Sequence, residues 1–148
     1  EMNETTEANA VNTDYLYGSY TRLQTNKSPV LTCTNKDDKY TVNKLTGNGL
    51  LKYPIGLLTV DEAFFAGGTT ANNTSYYLYS GESFWTMSPH AYGYIVQGLT
   101  IWANYNGKLQ GTNSQAPFGI RPVINLRADL LFTGSGTQSD PYKVAGFE

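Results

Sequence analysis

Apolar and polar positions alternate at several places along the chain, and each alternation predicts a short β-strand. Tyr15-Leu16-Tyr17-Gly18-Ser19-Tyr20 is the first, and Ser75 to Tyr79, Phe84 to Ser88 (ended by Pro89), Gly93 to Gln97, Leu99 to Tyr105 and Lys108 to Gln110 follow. Asn106-Gly107 lies between the last two; both residues accept positive φ, so this dipeptide predicts a tight hairpin. Gly119 to Leu126 (GIRPVINL) is apolar and β-branched and predicts a buried strand, with Pro122 at its start or on an edge. A glycine-rich turn from Gly134 to Asp140 precedes a last short strand at Tyr142-Lys143-Val144.

One segment breaks the alternation. Thr59 is followed three residues later by Glu62, the spacing of a capping box: the hydroxyl takes an orphan backbone N–H while the carboxylate reaches back to the cap residue's own N–H. Asp61 and Glu62 also suit the positive end of the helix dipole, and Gly67 or Gly68 can supply a left-handed stop. A helix of about two turns is predicted there. Read this way, the two carboxylates are helix-start chemistry rather than an acid–base pair. Short strands, long loops and one or two short helices make an α+β fold with mostly antiparallel pairing.

The chain has 148 residues, enough for one domain with a sizeable core. Residues 1–14 begin with the polar EMNETTEANAVN and are expected to be a flexible lead-in or linker of a larger or processed chain, with the domain at 15–148. Only 15% of residues are charged and the net charge is -2, so binding of nucleic acid through its phosphates is not expected. No apolar run reaches the ~20 residues of a membrane helix, and direct membrane insertion by this segment is not expected. A single cysteine, Cys33, allows no internal disulfide. Asn-X-Ser/Thr sequons begin at Asn3, Asn26, Asn72 and Asn73, several of which chance supplies in so Asn- and Thr-rich a sequence.

Candidate chemistry is sparse. Ser88 and the one histidine, His90, share a strand face, but no oxyanion loop or orienting acid accompanies them, so a surface or groove-lining histidine is expected. Carboxylates are dispersed, and neither a metal site nor a cofactor site is predicted; Gly134 to Asp140 reads as a turn. Aromatics are another matter, at 14% with 12 tyrosines. From His90 to Phe118, Tyr92, Tyr94, Trp102, Tyr105 and Phe118 are interleaved with neutral amides and one charge, Lys108. Stacking area beside uncharged hydrogen-bonding groups is the chemistry of a recognition face, and an ordinary sheet with buried aromatics has the same composition. Tyr15, Tyr17, Tyr20, Tyr76, Tyr77 and Tyr79 are read as scaffold.

Phe84-Trp85-Thr86-Met87-Ser88-Pro89, followed some thirty residues later by Gly119-Ile120-Arg121-Pro122-Val123-Ile124-Asn125-Leu126, resembles the closing half of a C-type-lectin fold of the formylglycine-generating-enzyme branch. With Pro54 to Glu62, Ser75 to Gly81, Gly136-Thr137 and Asp140-Pro141-Tyr142, the resemblance covers roughly residues 50–144 and extends to bacterial surface and pilin-like proteins. It implies Trp85 and Ile120, Val123, Ile124 and Leu126 in or near the core, and a structural role for Arg121 beneath the loops, with anion binding as the lesser reading. The enzymes of that branch use paired cysteines, which a sequence with Cys33 alone lacks. Gln115-Ala116-Pro117 and Trp102-Ala103-Asn104 miss the calcium-dependent sugar-binding pattern of C-type lectins.

The region from His90 to Gln115 resembles a third kind of protein with this fold, the variable proteins of diversity-generating retroelements, which carry a solvent-facing patch of varied residues on a fixed scaffold. What they imply here is a non-catalytic ligand-binding domain of adhesin or receptor-binding type, extracellular or on a bacterial or phage surface, able to form oligomers. The expected ligand is a protein or glycan, contacted by His90, Tyr92, Tyr94, Trp102, Tyr105, Asn113 and Gln115. A structural pilin or surface-assembly module is the alternative, and an enzyme of the formylglycine-generating-like fold a lesser one.

Overall fold

The structure is a computed structural model and describes residues 14–93, 98–126, 129–137 and 139–146. Residues 1–13 of the expected lead-in, and Tyr94 to Gln97 of an expected strand, lie outside the described residues. The fold is α+β, with mostly antiparallel strands and few short helices.

Strand β1 (Asp14–Leu16) is followed by the helical turn α1 (Gly18–Tyr20), which continues as a π-turn over Thr21–Thr25. Strand β2 (Ile55–Leu57) leads into helix α2 (Val60–Phe65). Then come β3 (Phe84–Gly93), β4 (Gly98–Tyr105), β5 (Lys108–Asn113), β6 (Pro122–Ile124), β7 (Phe132–Thr133) and β8 (Lys143–Val144). The main sheet has the order β1-β3-β4-β5, while β2 pairs with β6 and β7 with β8 in separate two-stranded sheets.

Local chemistry set the best-defined elements. Thr59 and Glu62 form the full capping box: the Thr59 hydroxyl accepts from the Glu62 N–H at 3.2 Å, and the Glu62 carboxylate accepts from the Thr59 N–H at 2.7 Å. Gly67, at φ 99°, lies just past the end of the helix. Asn106 and Gly107 adopt φ 50° and 86°, so Tyr105 pairs directly with Lys108 across a two-residue turn.

Three expected strands change. The first ends at Leu16, because the backbone turns helical at Gly18; the Tyr17 N–H makes a last bond to the His90 carbonyl at 3.1 Å, and Ser19 then swings beneath the sheet. Ser75 to Tyr79 is no strand: Tyr79 N–H turns back to the Tyr76 carbonyl at 3.0 Å while the Tyr76 ring is buried. The Phe84 strand, by contrast, runs through Pro89 to Gly93. Its register with β4 shifts on both sides of Pro89. Within that irregularity the Thr86 hydroxyl donates to the Trp102 carbonyl at 2.7 Å, and the Met87 N–H turns to the Leu58 carbonyl.

The core is one cluster of Leu23, Val60, Ala63, Trp102 and Leu109, with Tyr20 and Phe64 against it. Expected core residues of the Gly119–Leu126 segment are outside it. Ile120 is 65% exposed and Ile124 56%, Leu126 is exposed and Val123 half-buried, because the β2–β6 sheet has only two strands and Ile55 opposite Ile124 is exposed as well. Trp85 is half-buried, on the sheet face opposite the core.

Candidate functional site

Side chains on successive strand residues point to opposite faces, and directly paired residues of neighbouring strands share a face. Phe84 pairs with Asn104 and Asn104 with Leu109, and all three are buried on the core face with Thr86 and Trp102. Trp85 pairs with Ala103, and Ala103 with Gln110, on the outer face, which Tyr105 and Lys108 continue.

This parity divides the seven expected contact residues. Trp102 is a correction: it is 0% exposed, at the centre of the core, with Phe64 edge-on at 6.4 Å and His90 edge-on at 4.7 Å. Trp102 and Tyr105 are three residues apart on one strand, so they cannot share a face; the period of two, applied to this pair, finds the split in the sequence itself. His90 is half-buried on the Trp102 side, not an open contact: Tyr20 meets its ring at 5.2 Å and Nδ1 lies 3.0 Å from the Thr100 hydroxyl. That hydroxyl also donates to the Ala91 carbonyl at 3.2 Å, so Nδ1 is read as the donor toward Thr100.

Tyr92 and Tyr105 are exposed, at 53% and 45%. Asn113 and Gln115 are exposed too, at the far end of the hairpin from Tyr105. Asn113 Oδ1 accepts the Gln115 N–H at 2.9 Å, so Asn113 shapes the turn that leaves β5. Tyr94 lies outside the described residues.

Sequence reasoning missed a three-ring stack on the outer face. Phe118 sits between Trp85, with ring centroids 5.0 Å apart, and Tyr105, at 5.6 Å and 29° between planes. A parallel bridge between Phe84 and Gly119 holds the end of this return segment. Only the Tyr105 end of the stack is exposed. No spacing in the sequence announces it, since Trp85, Tyr105 and Phe118 come from three segments.

Arg121 takes a structural position. Its guanidinium lies over the Phe84 ring, 4.2 Å from the centroid, and donates to the Leu78 carbonyl and the Ser80 hydroxyl.

The hydrolytic pair does not assemble. Ser88 Oγ accepts the Val60 N–H at the start of α2 at 3.0 Å, while His90 turns to Thr100. Glu62 is occupied by its cap, and Asp61 accepts from Arg22 Nε at 2.9 Å, Arg22 Nη2 at 2.7 Å and the Val30 N–H at 2.9 Å. The hydrogen bond to Asp61 holds the Arg22 guanidinium above its usual range, against the opposing effect of burial. Burial likewise raises the Tyr76 phenol. A half-open hollow of about 650 Å³ lies over this ion pair, between α2 and the 30–40 loop. Among the described residues no group of three or more His, Cys, Asp or Glu side chains could hold a metal ion. No helix among them is long and apolar enough to cross a membrane.

No family model matches this sequence, and comparison with curated proteins and with solved structures finds no match.

Proposed function

We propose that this protein is a non-catalytic ligand-binding domain of C-type-lectin-like fold, presented on a bacterial or phage surface and built like the variable protein of a diversity-generating retroelement. The observation that carries the reading is the division of the β4–β5 hairpin region by strand parity. Trp102 and His90 serve the core side, while Tyr92 and Tyr105 are exposed on strands whose backbone the core holds, and Gln115 is exposed in the turn after β5. Side chains in such positions can change at little cost, since surface substitutions usually stay within about 0.5 kcal/mol. Parity selects Tyr92 and Tyr105 as contacts; Asn113, opposite Thr100 on the core-side register but exposed at the end of β5, and Gln115 in the turn after it are proposed with them for their exposure, with Tyr94 near Tyr92 in sequence. The ligand is a protein or glycan met by stacking and neutral hydrogen bonds, because charge is scarce in this sequence.

Two measurements test it. A neighbouring reverse-transcriptase gene with a near-copy of the codons for roughly 85–125, differing only at adenines, supports the retroelement form; variation falling on Trp102 and Leu109 as often as on Tyr105 and Gln115 overturns it. Screening against immobilised glycans and a displayed peptide library tests binding. Tyr105→Ala and Tyr92→Ala are expected to weaken any hit about tenfold or more, a loss of ~1.4 kcal/mol. Hits that ignore both substitutions place the contacts elsewhere.

A second reading has its own support. Ile55 and Ile124 face each other exposed across the β2–β6 sheet, an apolar pair that a neighbouring subunit in a pilin-like assembly would cover. Sedimentation of the wild type and of Ile124→Lys at rising concentration separates the two: assembly lost in the variant favours the module.

A further inference from the structure

The sequence has two Asn-Gly dipeptides, Asn48-Gly49 and Asn106-Gly107, and the fold treats them differently. The Asn48 amide is held on both atoms: Oδ1 accepts the Leu50 N–H at 3.1 Å, and Nδ2 donates to the Asp37 carbonyl at 3.1 Å. The Gly49 N–H, the nitrogen that would attack it, is engaged by the Thr41 hydroxyl at 3.3 Å. At the hairpin tip the backbone is anchored, with the Asn106 N–H on Ser83 Oγ and the Gly107 carbonyl on the Asn73 N–H. The carboxamide of Asn106 is exposed, and neither it nor the Gly107 N–H has a hydrogen-bond partner among the described residues.

We propose that Asn106 is a site of spontaneous covalent modification, converting to aspartate and isoaspartate, while Asn48 is protected by its hydrogen bonds. The Gly107 nitrogen attacks the carboxamide carbon (Cγ) of Asn106. A new C–N bond forms, the Cγ–Nδ2 bond breaks, and the Gly107 amide proton leaves with the expelled nitrogen as ammonia. Water then adds to one carbonyl of the cyclic imide and breaks one of its ring C–N bonds, leaving a carboxylate. No oxidant or reductant takes part. Gly107 is buried under the 72–74 loop, but the attacking nitrogen and its target belong to adjacent residues, and water or hydroxide reaching the turn from the exposed Asn106 side takes the amide proton.

The isoaspartate product carries an extra backbone methylene, which a two-residue turn cannot absorb while Tyr105 stays opposite Lys108. The new charge also appears beside the exposed end of the ring stack. A consequence for binding rests on the function proposed above and is read separately.

The full-length protein is incubated at mildly alkaline pH, folded or in denaturant, and both peptides are mapped by mass spectrometry with isoaspartyl methyltransferase labelling. In denaturant both sites are expected to convert at similar rates. In the folded protein conversion at Asn106 is expected to exceed that at Asn48 several-fold, and Asn106→Gly, which keeps the positive φ, removes the product from that peptide. Equal conversion of the two sites in the folded protein, or faster conversion at Asn48, overturns the proposal. So does the absence of conversion at Asn106 over a time in which the denatured protein converts. Loss of binding is scored only on material already shown to be modified, so its absence would count against the ligand face and not against the modification.

Discussion

The indole N–H of Trp102 donates to the hydroxyl of Ser19 at 3.0 Å, across 83 positions of sequence. The same hydroxyl donates to the Pro89 carbonyl at 2.8 Å. A hydroxyl is suited to this place because it accepts and donates at once. Ser19 thereby ties the turn after β1 to the buried centre of β4 and to the irregular middle of β3. It explains why the backbone leaves β1 at Leu16, since a continued strand would not bring Ser19 to the indole.

Ser19→Ala is expected to destabilise by ~1–3 kcal/mol, because it strands a buried indole N–H and a carbonyl together. Urea unfolding reads this as a lower midpoint with an unchanged slope. A midpoint equal to wild type would mean that water or a local shift replaces the hydroxyl at no cost.

Asp61 is buried at the first turn of α2 and is held by Arg22, which is partly exposed. Arg22→Ala is expected to cost ~3–5 kcal/mol, since it leaves a carboxylate buried without its cation. Replacing both residues, Arg22→Met with Asp61→Leu, is expected to recover part of that loss. Recovery stays partial because the Val30 N–H also loses its acceptor. Thermal melts of the three variants check the order; an Arg22→Ala variant as stable as wild type would show that solvent reaches Asp61.

Tyr76 donates its phenol proton to Asn104 Oδ1 at 2.9 Å, and burial raises its pKa above the usual 10. A raised folded pKa means that the unfolded protein releases this proton first. Tyr76 therefore adds nothing pH-dependent below about pH 10, and folding stability falls as pH rises from there toward the folded value. Tyr76→Phe should be less stable at neutral pH, with Asn104 Oδ1 left without the phenol, yet should lose less stability on going to alkaline pH. Denaturant midpoints between about pH 8 and 11 check this; parallel curves for the two proteins would assign the alkaline loss to other tyrosines.

What was legible in the sequence was what short-range chemistry decides. The Thr59–Glu62 box and the Asn106-Gly107 turn each need only residues within three positions, and both formed as expected. The α+β character was legible too, from short alternating runs. Burial was less so, because it depends on what covers a strand. GIRPVINL has the composition of a core strand, but its partner β2 is three residues long, and Ile55 and Ile124 stay exposed on the pair. Ser75 to Tyr79 alternates like a strand, yet the bond from Tyr76 to Asn104 favours a loop. The aromatic-rich stretch is legible as a group, and the period of two separates Trp102 from Tyr105, but which of the two sides is buried depends on the pairing of β3, β4 and β5 and on what covers it.

His90 shows how far that division reaches, and it can be tested through Gly111. A Cβ at position 111 would lie 2.3–2.5 Å from the His90 ring, so the imidazole occupies space that only glycine leaves open. Gly111→Ala must push the ring off Trp102 and away from Thr100, an overpacking cost of ~1–3 kcal/mol. If the clash with this ring is the cause, the cost should shrink in a His90→Ala background, and the double-mutant cycle should return a favourable coupling between the two substitutions. A Gly111→Ala penalty of the same size with and without the ring would instead place the strain in the backbone of β5. The coupled outcome fixes His90 as a packing group between Tyr20 and Trp102, which leaves Tyr92 and Tyr105, with Tyr15 opposite Tyr92 on β1, as the exposed aromatic residues among the described residues of this sheet on which a ligand would have to rely.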